Sequence, residues 1–578
     1  MKLPQTLGAV LGTLLAFLNS AAALDREAFT FTRYDLNVRL EPAQHRLGVR
    51  GKITLRNDSA QPQRIAALQI SSTLDWRSIR AAAEPNSKSS ESKPLQFVTQ
   101  PFASDIDHTS DLSEAIVTLP REIAPKESVT LEVGYEGVIL MDATRLIRIG
   151  TPVAVARHND WDQIGTSLTA IRGIGYVAWY PVAMEAQSLV DGDAMFVALG
   201  KWKVRHAEST MDISFDVIAN QDEKEPNVVC SGNIVHVVTK GGTNEIPGDV
   251  CVFESLSAVP SFAVGAYETE ERPAFRVHRS TDKTITDFMS AGDDASELVN
   301  AWFGAPKEKA EVVELVDPGA APFEAGRLLL TPMEHTDTET ARMLMVHQLT
   351  RASFTSPHPW ISEGAAYFAQ ALAREKQNGR EAALDYMARH RAAILQVEKT
   401  ITTSGGEPLV SSTNEVFYRS KAALAWWMLR DMLGDATLKK AIRVYDAAAD
   451  HDPTYFQHGL EEQSKRDLTW FFHDWVYADA GLPDFKIDSA NTRQGTGANF
   501  VTAVTVDNIG AAGAEVPVTI RTNNGDFTQR LEVRGRSKAV IRIATPSEPI
   551  EVVVNDGSVP ESDMSNNRFT ILKEEAPK

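Results

Sequence analysis

Cysteine is nearly missing from this chain. Only Cys230 and Cys251 occur among 578 residues, so a metal site built on cysteine thiolates is excluded by count. Positive charge is also in deficit. Lys and Arg number 58 against 77 Asp and Glu, giving a formal net charge of −19 and a pI near 5.2. Nonspecific nucleic-acid binding needs clustered cations, so no nucleic-acid partner is expected. The same balance argues against an anionic membrane surface. Apolar runs of membrane-spanning length do not occur after the first residues, and no repeat of fixed period is present. What is there is ordinary: 43% hydrophobic and 23% charged residues suit folded cores under a soluble surface. The length accommodates roughly three or four domains.

The one apolar run opens the chain. In MKLPQTLGAVLGTLLAFLNSAAA, Lys2 precedes the run and Ala21, Ala22 and Ala23 end it. This is the pattern of a signal peptide over residues 1–23, with export to the periplasm or beyond. Retention as an anchor is the other reading, but the run is short for a span and has no basic flank. No integral membrane span is expected after its removal. Cys230 and Cys251 lie 21 residues apart on two strand-like segments around a glycine-rich turn. In an oxidising compartment they either pair as a disulfide or pack as two buried thiols.

Alternation of apolar and polar residues dominates from about 26 to 265. FTFTRYDLNVRLEP, GVRGKITLRND and SVTLEVGYEGVIL each read as strands bounded by turn residues. The polar stretch AAAEPNSKSSESKP, in a poorly patterned region from about 80 to 125, reads as a long surface loop. WDQIGTSLTAIRGIGYVAWYPVAME reads as irregular structure. The texture changes near 280. DFMSAGDDASELVNAWFG has helical spacing, VVELV and RLLL read as short strands, and helices dominate to about 478. Thr336 and Glu339 have the spacing of a capping box before ARMLMVHQLTRA. From about 490, short turn-separated strands predict a small β-sandwich.

The most informative absence lies inside one helix. His347-Gln348-Leu349-Thr350-Arg351 stands where a zinc peptidase carries His-Glu-x-x-His. The first ligand is there. The general base has become Gln348, which cannot accept a proton as a carboxylate does, and the second ligand has become Arg351. A guanidinium stays charged and cannot ligate a cation. His347 and Arg351 are four apart and share a helix face. Glu363 follows in ISEGAAYF, twelve residues past Arg351. An Arg351–Glu363 ion pair is the natural replacement for a metal. A lone His347 reads either as a helix histidine bonded inside the fold or, with Glu363 and His358, as a rescued metal site. Tyr418 in NEVFYRSKAAL can stabilise an oxyanion or pack at a helix start. Glu324 in GAAPFEAGRLLL can hold a substrate amine or face water.

Taken in order, these phrases resemble the M1 metallo-aminopeptidases of the gluzincin group. YDLNVRLEPAQHRLGVRGKITL, VPSFAVGAYE, HQLTR with ISEGAAYF, VFYRSKAALAWWMLRDMLGD, DLTWFFHDWVYADAGLPDF and the closing SDMSNNRF carry the resemblance over nearly the whole chain. It implies a multidomain fold. A saddle-like all-β domain would cover 24–268. A thermolysin-like α/β, then mainly helical domain of the catalytic type would cover 269–485, and a small β-sandwich 486–574. It implies vestigial metal positions at His347, Arg351 and Glu363, a transition-state tyrosine at Tyr418 and an amine-binding role for Glu324. The spacing from Arg351 to Glu363 is shorter than the family's usual one. The expectation is a catalytically inactive member that keeps an interdomain groove for a peptide or protein ligand and needs no cofactor. The alternative is an active zinc metallo-aminopeptidase.

Overall fold

The computed structural model describes residues 24–83, 92–192, 194–218, 226–241, 244–280, 285–334, 336–398, 407–495 and 499–571. The signal-like segment 1–23, most of the polar stretch read as a loop, and the end of the C-terminal tail lie outside these residues. Among the described residues no helix is long and apolar enough to cross a membrane.

The N-terminal region is β-rich, as its alternation predicts. An eight-stranded sheet is centred on Phe29–Glu41, which pairs antiparallel with Arg46–Asn57 and parallel with Thr210–Val217. Tyr34, Leu36, Val38 and Leu40 point to one side and are buried with Ala66, Leu68 and Ile70 of the Gln63–Ser71 strand. That strand belongs to a three-stranded sheet with Asp111–Ile123 and Phe97–Ala103. The last of these follows the polar stretch read as a loop, and sequence patterning does not mark it as a strand. Its burial is only intermediate or exposed along its length, so no apolar alternation marked it. Cys230 and Cys251 form a disulfide that ties Asn227–Cys230 to Asn244–Phe253.

Three helices interrupt this region: Thr144–Arg148, Val153–Asn159 and Ala194–Arg205. None was expected. In Ala194–Arg205 only Met195, Gly200 and Trp202 are buried, too few for a readable stripe.

A five-stranded mixed sheet follows. Phe275–Arg279, Ala310–Glu314 and Leu328–Thr331 run parallel, and Phe323–Ala325 pairs antiparallel at the edge. Helices Thr286–Phe303, Thr338–Ser353 and Pro359–Glu398 are built around it, the last broken at Gly379 by a positive φ of 83°. The expected capping box is not formed. Asp337 is the N-cap of Thr338–Ser353 and accepts from the Thr340 amide at 2.9 Å, while the Thr336 hydroxyl donates to the Pro332 carbonyl. The helix starts one residue later than the Thr336–Glu339 spacing implied, and the Asp337 carboxylate reaches a free amide of the first turn there.

The C-terminal strands make a three-stranded and a four-stranded sheet. Their inner faces, through Val504, Val516, Val518 and Val552, join the same apolar core as Trp360, Trp426 and Trp427 of the helical part. The helical region and the sandwich are therefore packed through one continuous core.

Candidate functional site

A cavity of about 1180 Å³ lies between the β-rich and helical regions. Its β-side wall includes the Ala194–Arg205 helix, which approaches the backbone near Thr413 so closely that a Cβ on Gly200 would sit 2.2 Å from the Thr413 carbonyl oxygen. Glycine at this position sets how near the two walls come.

The opposite wall is built on three neighbouring pieces. The edge strand Phe323–Ala325 brings Glu324. It turns back at Gly326, whose φ is 51° and whose Cβ position would lie 2.4 Å from the Ser231 carbonyl oxygen. Helix Thr338–Ser353 brings His347 and Arg351, and helix Pro359–Glu398 brings Glu363. All four side chains line the cavity. The His347 Nδ1 is bonded to Glu324. Its Nε2 has no hydrogen-bond partner and lies 3.8 Å from a Glu363 carboxylate oxygen. Arg351 Nη1 meets the other Glu363 oxygen at 3.0 Å. The expected ion pair is thus present, and it joins the two helices.

Gln348 departs from expectation. It is fully buried and does not line the cavity. Its amide nitrogen donates to the Gly326 carbonyl at 3.1 Å, which pins the turn that presents Glu324. Gln348 is part of the scaffold behind the wall. His358 departs as well. It lines the cavity, but its Nε2 is 3.2 Å from Asp450, which also accepts from the Tyr445 hydroxyl. It is not brought to His347 and Glu363. Among the described residues no group of three or more His, Cys, Asp or Glu side chains is placed to hold a metal ion.

Tyr418 lies in a π-helical turn, Phe417–Lys421, and lines the cavity. Burial pushes its hydroxyl well above the usual range, with Glu415 and Glu363 adding to the effect. The extra residue in a π turn shifts side chains relative to an α-helix, which places Tyr418 and Arg419 together at the wall. Arg419 bonds Glu415 and the Tyr367 hydroxyl. The Tyr367 ring stands edge-on to His347, centroids 4.6 Å apart.

Charge governs this wall. Burial alone would raise the Glu363 carboxyl, yet Arg351, then His347, Arg419 and Lys203, hold it below the ordinary carboxylate value. Burial raises Glu415, and the nearby Glu363 charge adds to that rise against Lys203. Burial lowers both Lys203 and Arg419.

Sequence reading found Glu324, His347, Arg351, Glu363 and Tyr418, and all five meet at one cavity. It missed Lys203, Tyr367, Glu415 and Arg419. Arg419 could have been found as the neighbour of Tyr418. Lys203 carried no signal, because its helix was not recognised and its partners are distant in sequence.

No family model matches the chain, and no curated protein matches it. Solved structures do. An M1 zinc metallopeptidase from Deinococcus radiodurans is 17% identical, with 78% of this chain and 95% of that chain covered and a TM-score of 0.45. Aminopeptidase A from Legionella pneumophila, in complex with aspartic acid, is 11% identical, with a TM-score of 0.56 over 92% of this chain and 59% of that one. The second likeness establishes a fold: a mixed α/β, aminopeptidase-like architecture with a β-rich N-terminal region.

Proposed function

We propose that this chain is an exported, aminopeptidase-like protein that binds a peptide or protein terminus in its cavity without hydrolysing it. One observation carries the reading: the Arg351 guanidinium sits on Glu363 at 3.0 Å, in the place where the aminopeptidase fold implies a zinc ion. The donor set does not fit that ion. Zinc needs neutral or anionic donors in a tetrahedral shell. Here one imidazole and one carboxylate share the position with a permanent cation, which repels a metal and fills its space. The group that would activate water is missing too, since Gln348 is bonded to Gly326 behind the wall. No step of peptide cleavage is therefore assigned.

The residues that remain can bind. The cavity is large enough for several residues of a peptide, and it holds Tyr418, Arg351 and Arg419 on one side and Lys203 on the other. The signal-like residues 1–23 support export, and the Cys230–Cys251 disulfide fits an oxidising compartment. Elemental analysis of natively purified protein, run beside a hydrolysis assay on free-amine peptides, tests the reading. Substoichiometric zinc and intact peptides are expected. One tightly held zinc per chain, with chelator-sensitive release of N-terminal residues, would make the protein an active aminopeptidase instead.

A further inference from the structure

The charges facing the cavity do not cancel. Three cations reach it from opposite walls: Lys203 from helix Ala194–Arg205, Arg351 from helix Thr338–Ser353, and Arg419 from the π turn. The carboxylates that act on Lys203 are Glu363 and Glu415, and both already have a partner. Glu363 is paired with Arg351 at 3.0 Å, and Glu415 with Arg419. The remaining arginines of the wall are also matched, Arg145 with Asp160 and Arg172 with Asp162. Among the described residues nothing is hydrogen-bonded or ion-paired to the Lys203 ammonium. Arg351 uses only Nη1 on Glu363, and a guanidinium has five donors.

Carboxylates able to greet a free amine are in the opposite condition. Glu324 is bonded to His347 and Glu363 to Arg351. An incoming ammonium group would have to break one of these pairs. An incoming carboxylate would break nothing and would satisfy an ammonium that lacks a counter-ion in a half-buried setting. In such a setting an unpaired charge is costly and a matched one is strongly held.

We propose that the cavity anchors its ligand by a carboxylate, held between Lys203 and the open donors of Arg351, and not by the N-terminal amine. The ligand is a peptide presenting a C-terminal carboxylate or an acidic side chain. Burial holds the Lys203 pKa down, and a bound anion offsets that cost. This inference rests on the binding reading above.

The mature chain is titrated calorimetrically with four tripeptide probes. They are N-acetyl-trialanine as the free acid, the same peptide as its C-terminal amide, an N-acetylated amide with a central aspartate, and trialanine amide with a free amine. The two amides without aspartate should bind about tenfold or more weaker than the acid, the scale of one lost charge-assisted contact. The aspartate probe separates the two sources of carboxylate: binding like the acid means a side chain suffices. Lys203→Met should weaken the acid about tenfold, and Lys203→Arg should restore most of the affinity. Acid binding to the wild-type chain should weaken as salt rises. If Lys203→Met does not fold, the acid–amide comparison on the wild-type chain still decides. Equal affinity for the free-amine amide and the acid overturns the proposal. So does unchanged acid binding by a folded Lys203→Met, or no binding by any probe. Cleavage of the free-amine peptide is read separately by mass spectrometry and removes the non-hydrolytic reading itself.

Discussion

Two sets of buried ions border the same cavity and are built differently. On the β-rich side, Arg145 grips Asp160 with two nitrogens at 2.7 and 2.8 Å and donates to the Asp105 and Gly175 carbonyls as well. Arg172 bonds Asp162 while its guanidinium lies 3.6 Å from the Tyr176 ring centroid and 4.0 Å from that of Trp161. On the helical side, Arg351 meets Glu363 through one nitrogen, His347 keeps an unpartnered Nε2, and both members of the Arg351–Glu363 pair are about one-fifth exposed. The first set is closed: each guanidinium is held through at least two of its nitrogens, so it fixes the wall. The second is open, with donors left for something else to fill. Charge alone does not distinguish a scaffold from a binding surface; how completely the charges satisfy one another does.

The comparison can be broken by mutation. Arg145→Ala should have the largest effect, because it orphans a buried carboxylate. The expected loss is ~3–5 kcal/mol, read as an earlier urea transition. Gln348→Glu comes next. A carboxylate has no donor for the Gly326 carbonyl and is fully buried, so a loss of ~3 kcal/mol is expected, with no gain of hydrolysis. A glutamate that restored turnover without destabilising would place Gln348 in the cavity and contradict the scaffold role. Arg351→Ala should cost less than Arg145→Ala, ~2 kcal/mol, since water can reach what it leaves behind. Equal costs for the two arginines would erase the distinction between closed and open sets.

A smaller effect sharpens the comparison from outside the cavity. Glu561 in the C-terminal sandwich is buried, and no cation acts on it. Burial raises its pKa to about 7 from 4.5, and hydrogen bonds from Asn555 and the Phe485 amide only partly oppose this. The folded state therefore holds the proton more tightly than the unfolded chain. Stability falls as pH rises between those two values and stays lower above them. Glu561→Gln should raise the melting transition at pH 8 by the equivalent of ~1 kcal/mol and leave it nearly unchanged at pH 4. A gain of the same size at both pH values would show that packing, not ionisation, is responsible.

Sequence periodicity showed the β-rich start, the helices from Thr286 onward and the two-sheet end, because each buries one regular face. It failed for Phe97–Ala103 and Ala194–Arg205, which bury too little to leave a pattern. At the site, the His347–Arg351 spacing and Glu363 stood out because the phrase resembles a metal motif at some positions and departs from it at two.

The amino-acid sequence alone established the residue types at the wall: a guanidinium at Arg351 cannot ligate a cation, and the Gln348 amide cannot act as a base. The placement of those residues was decided only by tertiary structure. Nothing in the sequence ties Gln348 to Gly326, closes Glu324 on His347, or brings Lys203 to the same cavity as Arg351. Those placements join segments from 22 to about 150 residues apart. They exist because a positive-φ turn, a glycine-tight helix contact and a π turn set the backbone first. Side-chain chemistry is local, but which charge finds a partner depends on how the backbone brings distant walls together.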